Sequence, residues 1–268
     1  MDITVTIIME EVNNPVNLNF HRDALFGDGF FTTAVIKDGC IIHKERHLSR
    51  LQESAQRLKF EHWNIDSLSS TLNDIVEKYS NSIIRVSCSR KQKERGYAIS
   101  SNSQIYCDIA VQKLVEFKHN SCHLKFAETP ISVNSMLAGI KHLNRLDNVL
   151  AASECETPDQ EVLMCDGERV ISGSRTNLFV KLDGQWFTPT ISNCGINGIT
   201  QNVVIDTMND LGIDCLYKDI YRKDFEKISS VFVTNSIVGI WPAKMIETTQ
   251  LDWDCVMKLK QKLKVKVK

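Results

Sequence analysis

The pattern of apolar and polar positions predicts both strands and helices in the first half of the chain. An apolar, β-branched stretch over 24–38 ends in Asp38-Gly39, which is typical of a hairpin turn. Two segments with apolar residues at helical spacing follow, and then two strands that flank a cationic loop. The first predicted strand ends at 35–36, and the others span 40–42, 82–89 and 106–116. The predicted helices span 47–59 and 65–79. The cationic loop spans 90–97.

The second half contains the same mixture of elements after a polar segment at 118–120, which is predicted as a linker. Its predicted strands span 123–127, 161–165, 177–181, 185–188, 215–220 and 230–234, and its helices span 144–154 and 200–211. The fold class is therefore α+β, with a small N-terminal domain over 1–118 and a larger C-terminal domain over 119–268. The last eleven residues contain six lysines and are predicted as a frayed, solvated tail.

Composition narrows the range of partners. The 268 residues include 32 basic and 33 acidic side chains, so the chain has no overall field that attracts nucleic acid or anionic lipid. No stretch approaches 18 uninterrupted apolar residues, and the N-terminus lacks a signal-peptide pattern. Nine cysteines are scattered without a CxxC pair, which indicates reduced thiols. We therefore expect a cytoplasmic protein that binds neither a membrane nor nucleic acid.

Several common catalytic motifs are absent from the sequence. Gly27-Asp28-Gly29 is followed by Thr32 where a dinucleotide-binding fingerprint has its third glycine. The sequence contains no GxxxxGK[ST], HExxH or GxSxG string, and no His or Cys spacing suited to zinc. We expect no NTPase, serine hydrolase or metal site.

Lys141 stands between an apolar, strand-like run and the start of a predicted helix. Partial removal of a lysine from water disfavours its ammonium form and makes the neutral amine available as a nucleophile. A lysine in such a position is usually a solvated surface residue, so this feature alone is weak.

Six short strings around Lys141 and elsewhere resemble the fold type IV enzymes that depend on pyridoxal 5′-phosphate (PLP), the class IV aminotransferase family. They occur in the family's order and at its spacing between about residues 20 and 245. The strings are FGDGFFTT at 26–33, HLSRL at 47–51, GIKHLNRL at 139–146, NLF at 177–179, GINGIT at 195–200 and VTNS at 233–236. Within the family, the first and third strings look like those of the aminodeoxychorismate lyases. The resemblance implies a small N-terminal domain and a larger C-terminal domain with a barrel-like sheet.

The resemblance also implies a site. Lys141 would bind PLP covalently and later move protons at the substrate carbon. Arg50 would bind the cofactor phosphate through its planar guanidinium. Backbone amides at a helix N-terminus and a nearby turn would bind the same phosphate. These further residues are Gly198, Ile199, Thr200, Ser236 and Ile237. The family resemblance further implies a homodimer.

At one position the sequence departs from the family. The family pattern has a glutamate five residues before the asparagine of NLF, where it bonds the pyridine nitrogen, and this chain has Ser172 there. A hydroxyl is a weaker partner than a carboxylate and does not fix a positive charge on that nitrogen. The change counts modestly against transamination, which relies on a strongly stabilised carbanion.

For a lyase of this kind, the implied reaction converts 4-amino-4-deoxychorismate to 4-aminobenzoate and pyruvate, a step of folate biosynthesis. The substrate carries two carboxylates, so cationic residues are expected around it. The candidates are Arg90 and Arg95 in the predicted loop, and Arg145. Thr32 and Thr33 lie on an early strand and point to opposite faces. We expect Thr33 to protonate the leaving oxygen and Thr32 to contact the substrate.

Two alternatives remain open from the sequence. A D-amino-acid or branched-chain aminotransferase would use the same cofactor and most of the same strings. A non-catalytic PLP-binding relative would retain the cofactor without turning over either kind of substrate.

Overall fold

The computed structural model describes residues 3–7, 20–61, 63–92, 96–101 and 103–263. The chain forms two compact units. The first contains Met1–Val115 and Ile140–Asn144, and the second contains Glu116–Gly139 and Arg145–Lys268. The predicted division between residues 118 and 119 assigns Lys141 to the C-terminal domain, whereas Lys141 lies in the compact unit formed mainly by the N-terminal part of the chain.

The first unit is a sheet with helices packed on it. Its elements are β1 (Ile3–Ile7), β2 (Phe20–His21), α1 (Arg22–Phe26), β3 (Gly29–Lys37), β4 (Cys40–Ile41), α2 (Lys44–Arg57), α3 (Ile65–Val76), β5 (Ser82–Gln92) and β6 (Gln104–Lys113). In the described residues the strand order is β1-β6-β5-β3-β4, with β2 paired to β5. The pairs β1–β6, β6–β5, β5–β3 and β3–β4 are all antiparallel.

Alternation along β3 directs its even-numbered side chains towards the helices. Phe30, Ala34 and Ile36 join Leu48 and Leu51 of α2 in one buried cluster. The predicted hairpin after β3 is confirmed, because Ile36 pairs with Ile41 and the turn residues Asp38 and Gly39 both have positive φ. The odd-numbered side chains of β3 therefore point to the opposite face of the sheet.

The second unit is built on a larger sheet. Its elements are β7 (Cys122–Phe126), α4 (Leu146–Ser153), β8 (Gln160–Asp166), β9 (Arg169–Gly173), β10 (Asn177–Leu182), β11 (Gln185–Pro189), α5 (Ile199–Asp210), β12 (Cys215–Lys218), β13 (Ile220–Tyr221), a 3₁₀ turn (Arg222–Glu226), β14 (Ile228–Asn235), β15 (Gly239–Ile246), β16 (Thr249–Gln250) and α6 (Trp253–Leu263). The strand order is β12-β11-β10-β14-β15-β7-β8-β9-β13, and β16 pairs with β15. Strand β9 also contacts β10 and β11 near the other end of this order, so the sheet curls. The predicted α+β class is confirmed.

The C-terminal prediction was wrong for residues 258–263. These residues belong to α6, in which Val256, Leu259 and Leu263 are buried at spacings of three and four residues. The lysines between them occupy the polar side of an amphipathic helix, and residues 264–268 lie outside the described residues.

Three general features bear on function. No helix in the described part of the chain is long and apolar enough to cross a membrane. Within the same residues, no group of three or more His, Cys, Asp or Glu side chains is arranged to hold a metal ion. All nine cysteines are free thiols, and six of them are buried.

Candidate active site

Lys141 lies against strand β3 of the first unit. Its carbonyl oxygen accepts a hydrogen bond of 2.9 Å from the amide of Phe31, and the amide of Leu143 donates one of the same length to Gly29. The side chain is half-buried, and Nζ lies 4.6 Å from the centre of the Phe31 ring. The amine is therefore held by a short β-like contact on the face of β3 that carries the odd-numbered side chains.

Thr33 and Arg85 lie on this same face. Thr33 is two residues beyond Phe31 on β3, so both side chains point to one side of the sheet. Thr33 is half-buried and stands opposite Arg85 of β5 in the strand register. The guanidinium carbon of Arg85 lies 3.9 Å from the centre of the Phe31 ring. One face of the first sheet thus presents an amine, a hydroxyl and a guanidinium around a single aromatic ring.

Arg85 was not among the residues selected from the sequence. It lies within a predicted strand and belongs to none of the six motif strings, so only the strand register reveals that it faces Thr33. Arg85 is an exposed residue, although partial desolvation of its guanidinium lowers its pKa below the ordinary value. Its Nε donates a 3.1 Å hydrogen bond to the hydroxyl of Ser87, and its other nitrogens can donate to a carboxylate.

Thr32 points to the opposite face, towards helix α2. Its hydroxyl lies 2.6 Å from Nδ1 of His47 and accepts a hydrogen bond from Nη2 of Arg50. Thr32 is 3% exposed and His47 4% exposed. The predicted contact of Thr32 with substrate is therefore replaced by a buried contact with the arginine proposed to bind phosphate.

Arg50 has the features expected of a residue that binds an anion. Burial lowers its pKa to about 10, and Nε is buried without a hydrogen-bond partner. In the described residues, no carboxylate forms an ion pair with Arg50, and its guanidinium donates to the neutral hydroxyl of Thr32. A buried guanidinium without a counter-charge is costly. The phosphate of PLP would supply both the charge and the missing acceptor.

The prediction that Arg90 lies in a loop was wrong. Arg90 is the antepenultimate residue of β5 and is 3% exposed. It forms a 2.6 Å ion pair with Asp28, donates to the carbonyl of Leu58, and lies over the Phe60 ring. These contacts give Arg90 a structural role and remove the basis for assigning it to substrate. Arg95, the other predicted loop residue, lies outside the described residues.

In the second unit, Gly198 and the start of α5 form a potential anion site. Gly198 precedes the helix, so Ile199 and Thr200 supply the amides of its first turn, which lack partners within a helix. The hydroxyl of Thr200 lies 3.5 Å from that of Ser236. A Cβ atom on Gly198 would clash with the side chain of Asn177, which donates to the carbonyl of Ile196, so a larger residue would displace this asparagine.

The amide of Ile237 does not complete this group as predicted. It donates a 2.9 Å hydrogen bond to Oδ1 of Asn235, and the amide of Val238 donates to the same oxygen. Asn235 thus uses its side chain to close the turn after β14, a common role for asparagine. The predicted phosphate contact of the Ile237 amide is corrected accordingly, and Ser236 remains available through its hydroxyl.

Gly139, which belongs to the second unit, is fixed by hydrogen bonds within that unit. Gly139, two residues before the lysine, accepts a hydrogen bond from the amide of Asn197 and donates one to Gly195, each 3.0 Å long. These two partners belong to the GINGIT string that leads into α5.

Ser172 lies on β9 and is 7% exposed. Its hydroxyl donates a 3.0 Å hydrogen bond to the carbonyl of Gly173, so it must turn away from that carbonyl to donate to an unprotonated pyridine nitrogen. Arg145 is the residue before α4, and burial lowers its pKa to about 10. Its Nη1 donates to Asn148, so part of its guanidinium is engaged within the second unit.

Glu161 is a buried residue that the sequence reading took only as the start of a strand. It is fully buried on β8, and its carboxylate accepts from the amide and hydroxyl of Ser174 and from the hydroxyl of Thr176. These bonds fix the turn between β9 and β10, which begins after Gly173, the residue that follows Ser172. A glutamate at the start of an otherwise apolar strand is a signal that could have identified it.

The fold and the two groups of residues define a PLP enzyme of fold type IV. The family model for amino-transferase class IV matches residues 29–246, and the chain belongs to this family. Enzymes of this family depend on PLP, and the predicted fold and cofactor are confirmed.

Individual relatives include enzymes with different reactions. Aminodeoxychorismate lyase of Vibrio harveyi is 26% identical over 240 residues, which cover 85% of this chain and 87% of the relative. D-alanine aminotransferase of Listeria monocytogenes is also 26% identical over 240 residues, covering 86% and 82%. The crystal structure of 4-amino-4-deoxychorismate lyase from Pseudomonas aeruginosa superimposes with a TM-score of 0.89 at 26% identity, covering 98% of each chain. The equal identities leave the reaction open.

Proposed function

We propose that this protein is a lyase that converts 4-amino-4-deoxychorismate to 4-aminobenzoate and pyruvate. The observation that carries the proposal is the face of the first sheet on which Lys141, Thr33 and Arg85 surround Phe31. The reaction needs a base at the carbon that bears the amino group, an acid at the leaving oxygen, and a cation for carboxylate. An amine, a hydroxyl and a guanidinium supply these three functions.

Lys141 acts at the carbon that bears the substrate amino group. Bound PLP withdraws electrons from this carbon and so acidifies its C–H bond. The amine of Lys141 removes that proton, after which the bond between the neighbouring carbon and the enolpyruvyl oxygen breaks. Formation of the aromatic ring supplies the driving force for this elimination.

Thr33 and Arg85 act on the leaving group. The hydroxyl of Thr33 donates its proton to the departing oxygen, giving enolpyruvate, which becomes pyruvate in water. The ammonium form of Lys141 then restores the proton of Thr33. Arg85 binds a substrate carboxylate, replacing Arg90 in the role assigned from the sequence, and Arg145 remains a second candidate.

The phosphate of the cofactor is assigned to Arg50, to the first-turn amides of Ile199 and Thr200, and to the hydroxyl of Ser236. The orphaned Nε of Arg50 and the paired hydroxyls of Thr200 and Ser236 support this assignment. Ser172 is assigned to the pyridine nitrogen, where a hydroxyl favours elimination over transamination. The homodimer and the cytoplasmic location remain predictions.

The decisive experiment is incubation of the purified protein with 4-amino-4-deoxychorismate while 4-aminobenzoate and pyruvate are measured. The proposal expects equal amounts of both products without any added keto acid. Exchange of amino groups between D-alanine or a branched-chain amino acid and 2-oxoglutarate, with no 4-aminobenzoate, would establish an aminotransferase instead. PLP absorbance without either reaction would indicate a non-catalytic relative.

A separate measurement tests the assignment of Lys141. Borohydride reduction of the holoprotein should attach a pyridoxyl mass to the peptide that contains Lys141. A pyridoxyl mass on a peptide that contains a different lysine would overturn this assignment, whichever reaction the protein catalyses.

A further inference from the structure

Three hydrogen-bonded polar side chains, of which Thr32 and His47 are buried and Arg50 is half-buried, link strand β3 to helix α2. Nη2 of Arg50 donates to the hydroxyl of Thr32, and that hydroxyl lies 2.6 Å from Nδ1 of His47. His47 and Arg50 are three residues apart on α2, so their side chains lie on the same side of the helix. Thr32 is among the even-numbered side chains of β3 that face this helix.

The number of donors on each side chain fixes the direction of the bond between Arg50 and Thr32 and restricts that of the bond between Thr32 and His47. The Arg50 guanidinium has only donors, so the oxygen of Thr32 must accept from it. The single hydrogen of Thr32 is then free to point at His47, provided that Nδ1 carries a lone pair. A protonated His47 would place a second donor against Thr32 and leave the threonine hydrogen without an acceptor.

The surroundings of His47 keep the imidazole neutral. Burial and the nearby charges of Arg50 and His43 lower its pKa to about 3. His43 precedes α2, Arg50 lies on α2, and Thr32 faces His47 from β3. No carboxylate is among the causes of the lowered pKa of His47. In the neutral tautomer that carries its proton on Nε2, the lone pair on Nδ1 is available to the hydroxyl of Thr32.

We propose that His47 and Thr32 are positioning residues that hold the guanidinium of Arg50 ready for the cofactor phosphate. His47 orients the hydroxyl of Thr32, and the lone pair of that hydroxyl fixes one guanidinium nitrogen while Nε stays free for the anion. Pre-orientation removes the conformational entropy that a mobile arginine would lose on binding. This inference rests on the proposed assignment of Arg50 to phosphate, but not on the lyase reaction.

The test compares PLP with pyridoxal, which has the same aldehyde and no phosphate. The full-length protein is stripped of PLP, its circular dichroism is matched to that of the holoprotein, and both aldehydes are titrated by absorbance. The dissociation constant of pyridoxal divided by that of PLP measures how much the phosphate contributes to binding. A residue that merely supports the fold would change both constants together.

Thr32→Val removes the hydroxyl at constant shape and should lower this ratio by about tenfold, the loss expected for one hydrogen bond to a charged group. Thr32→Ser should restore it. Thr71→Val is the matched control, because Thr71 lies on α3 and its hydroxyl bonds to Ser67 within the same helix. An unchanged ratio in Thr32→Val, or an equal loss in the Thr71 control, would overturn the proposal.

Variants of His47 and Arg50 test whether His47 acts through Thr32 and whether Thr32 acts through Arg50. His47→Asn keeps an oxygen near the place of Nδ1 and should retain most of the phosphate contribution, whereas His47→Leu should lose as much as Thr32→Val. In an Arg50→Met background, Thr32→Val should cause no further loss, because Thr32 acts through Arg50. An additional tenfold loss in that background would refute the positioning role. Lyase activity enters none of these measurements, so failure of the proposed reaction would leave their outcome readable.

Discussion

The side-chain nitrogen of Lys141 and the ring of Phe31 are 4.6 Å apart, centre of ring to Nζ, and Arg85 approaches the same ring to 3.9 Å. An aromatic face attracts cations, so Phe31 accounts for the approach of two basic side chains to one ring. In the proposed reaction this pair of cations binds the anionic substrate, and Thr33 stands beside Phe31 on the same face of β3. This arrangement separates the reacting face of β3 from the face on which Thr32 contacts Arg50.

Thr33→Val should lower the rate of 4-aminobenzoate formation while PLP binding stays unchanged. Loss of a positioned general acid typically costs about a hundredfold or more in rate. The measurement is kcat together with the dissociation constant of PLP. Thr33→Ser, which keeps the hydroxyl, serves as the control and should retain most of the activity. Full activity in Thr33→Val would exclude Thr33 as the acid.

Arg85→Gln should raise KM for the substrate more than it lowers kcat, because a lost carboxylate contact weakens binding before it affects chemistry. We expect an increase in KM of about tenfold, equivalent to one charge-assisted hydrogen bond. Arg57→Gln is the matched control, since Arg57 is a surface residue of α2 paired with Glu53. If both variants had the same KM as the unmodified protein, carboxylate binding would have to be assigned elsewhere.

Arg50→Ala should weaken PLP retention by about ten- to a hundredfold, the range expected for loss of a charged contact with phosphate. The fold should persist, because burial of this unpaired guanidinium lowers its pKa and therefore costs free energy in the cofactor-free protein. Equilibrium dialysis of PLP and thermal unfolding of the stripped protein measure the two effects. PLP affinity equal to that of the unmodified protein would contradict the assignment.

The sequence predicted the elements and residues that carry a local signal. The Asp38-Gly39 turn, the fold class and the motif strings are of this kind, because turn chemistry and short strings depend on adjacent residues. The arginine that binds a substrate carboxylate could not be chosen from such a local signal. Arg85 and Arg90 are five residues apart and therefore point to opposite faces of one strand, and the predicted strand ended one residue before Arg90. Their roles depend on strand length and on the register with β3, which no local pattern specifies.

Two other residues show the same limit. The occupation of the Ile237 amide depends on the side-chain rotamer of Asn235, which the sequence does not reveal. The role of Glu161 depends on a turn whose residues follow it by thirteen and fifteen positions. By contrast, His47 stands three residues before Arg50, and this helical spacing was a usable signal that the two share a side of α2.

His47 should make the folded protein less stable as pH falls. Its pKa is about 3 in the folded state and near its ordinary value when unfolded, so the unfolded state takes up the proton first. The contribution of His47 to the free energy of unfolding is therefore fully present above about pH 6.5. It is lost as pH falls towards 3, at up to about 1.4 kcal/mol per pH unit. Urea unfolding of the stripped protein at pH 7 and pH 5 measures the loss, and His47→Asn should reduce it. An equal loss in both proteins would show that His47 does not cause it.

Ser172→Glu should raise slow transamination more than it raises lyase turnover. A glutamate at this position would keep the pyridine nitrogen protonated, which favours the carbanion chemistry that ordinary amino acids require. Elimination gains less, because formation of an aromatic ring already drives it. The measurements are amino-group transfer from D-alanine and L-alanine, and release of 4-aminobenzoate, in the variant and the unmodified protein. Ser172→Ala is the control for loss of the hydroxyl and its bond to Gly173.

Unchanged or lower transamination in Ser172→Glu would refute the argument, as would an acidic side chain from elsewhere found on the nitrogen in a PLP-bound structure. A one-residue shift of the motif would bring Ile171 or Gly173 to this place, and neither side chain can bond the nitrogen. The missing glutamate would therefore still weaken transamination, even if Ser172 itself made no contact with the cofactor.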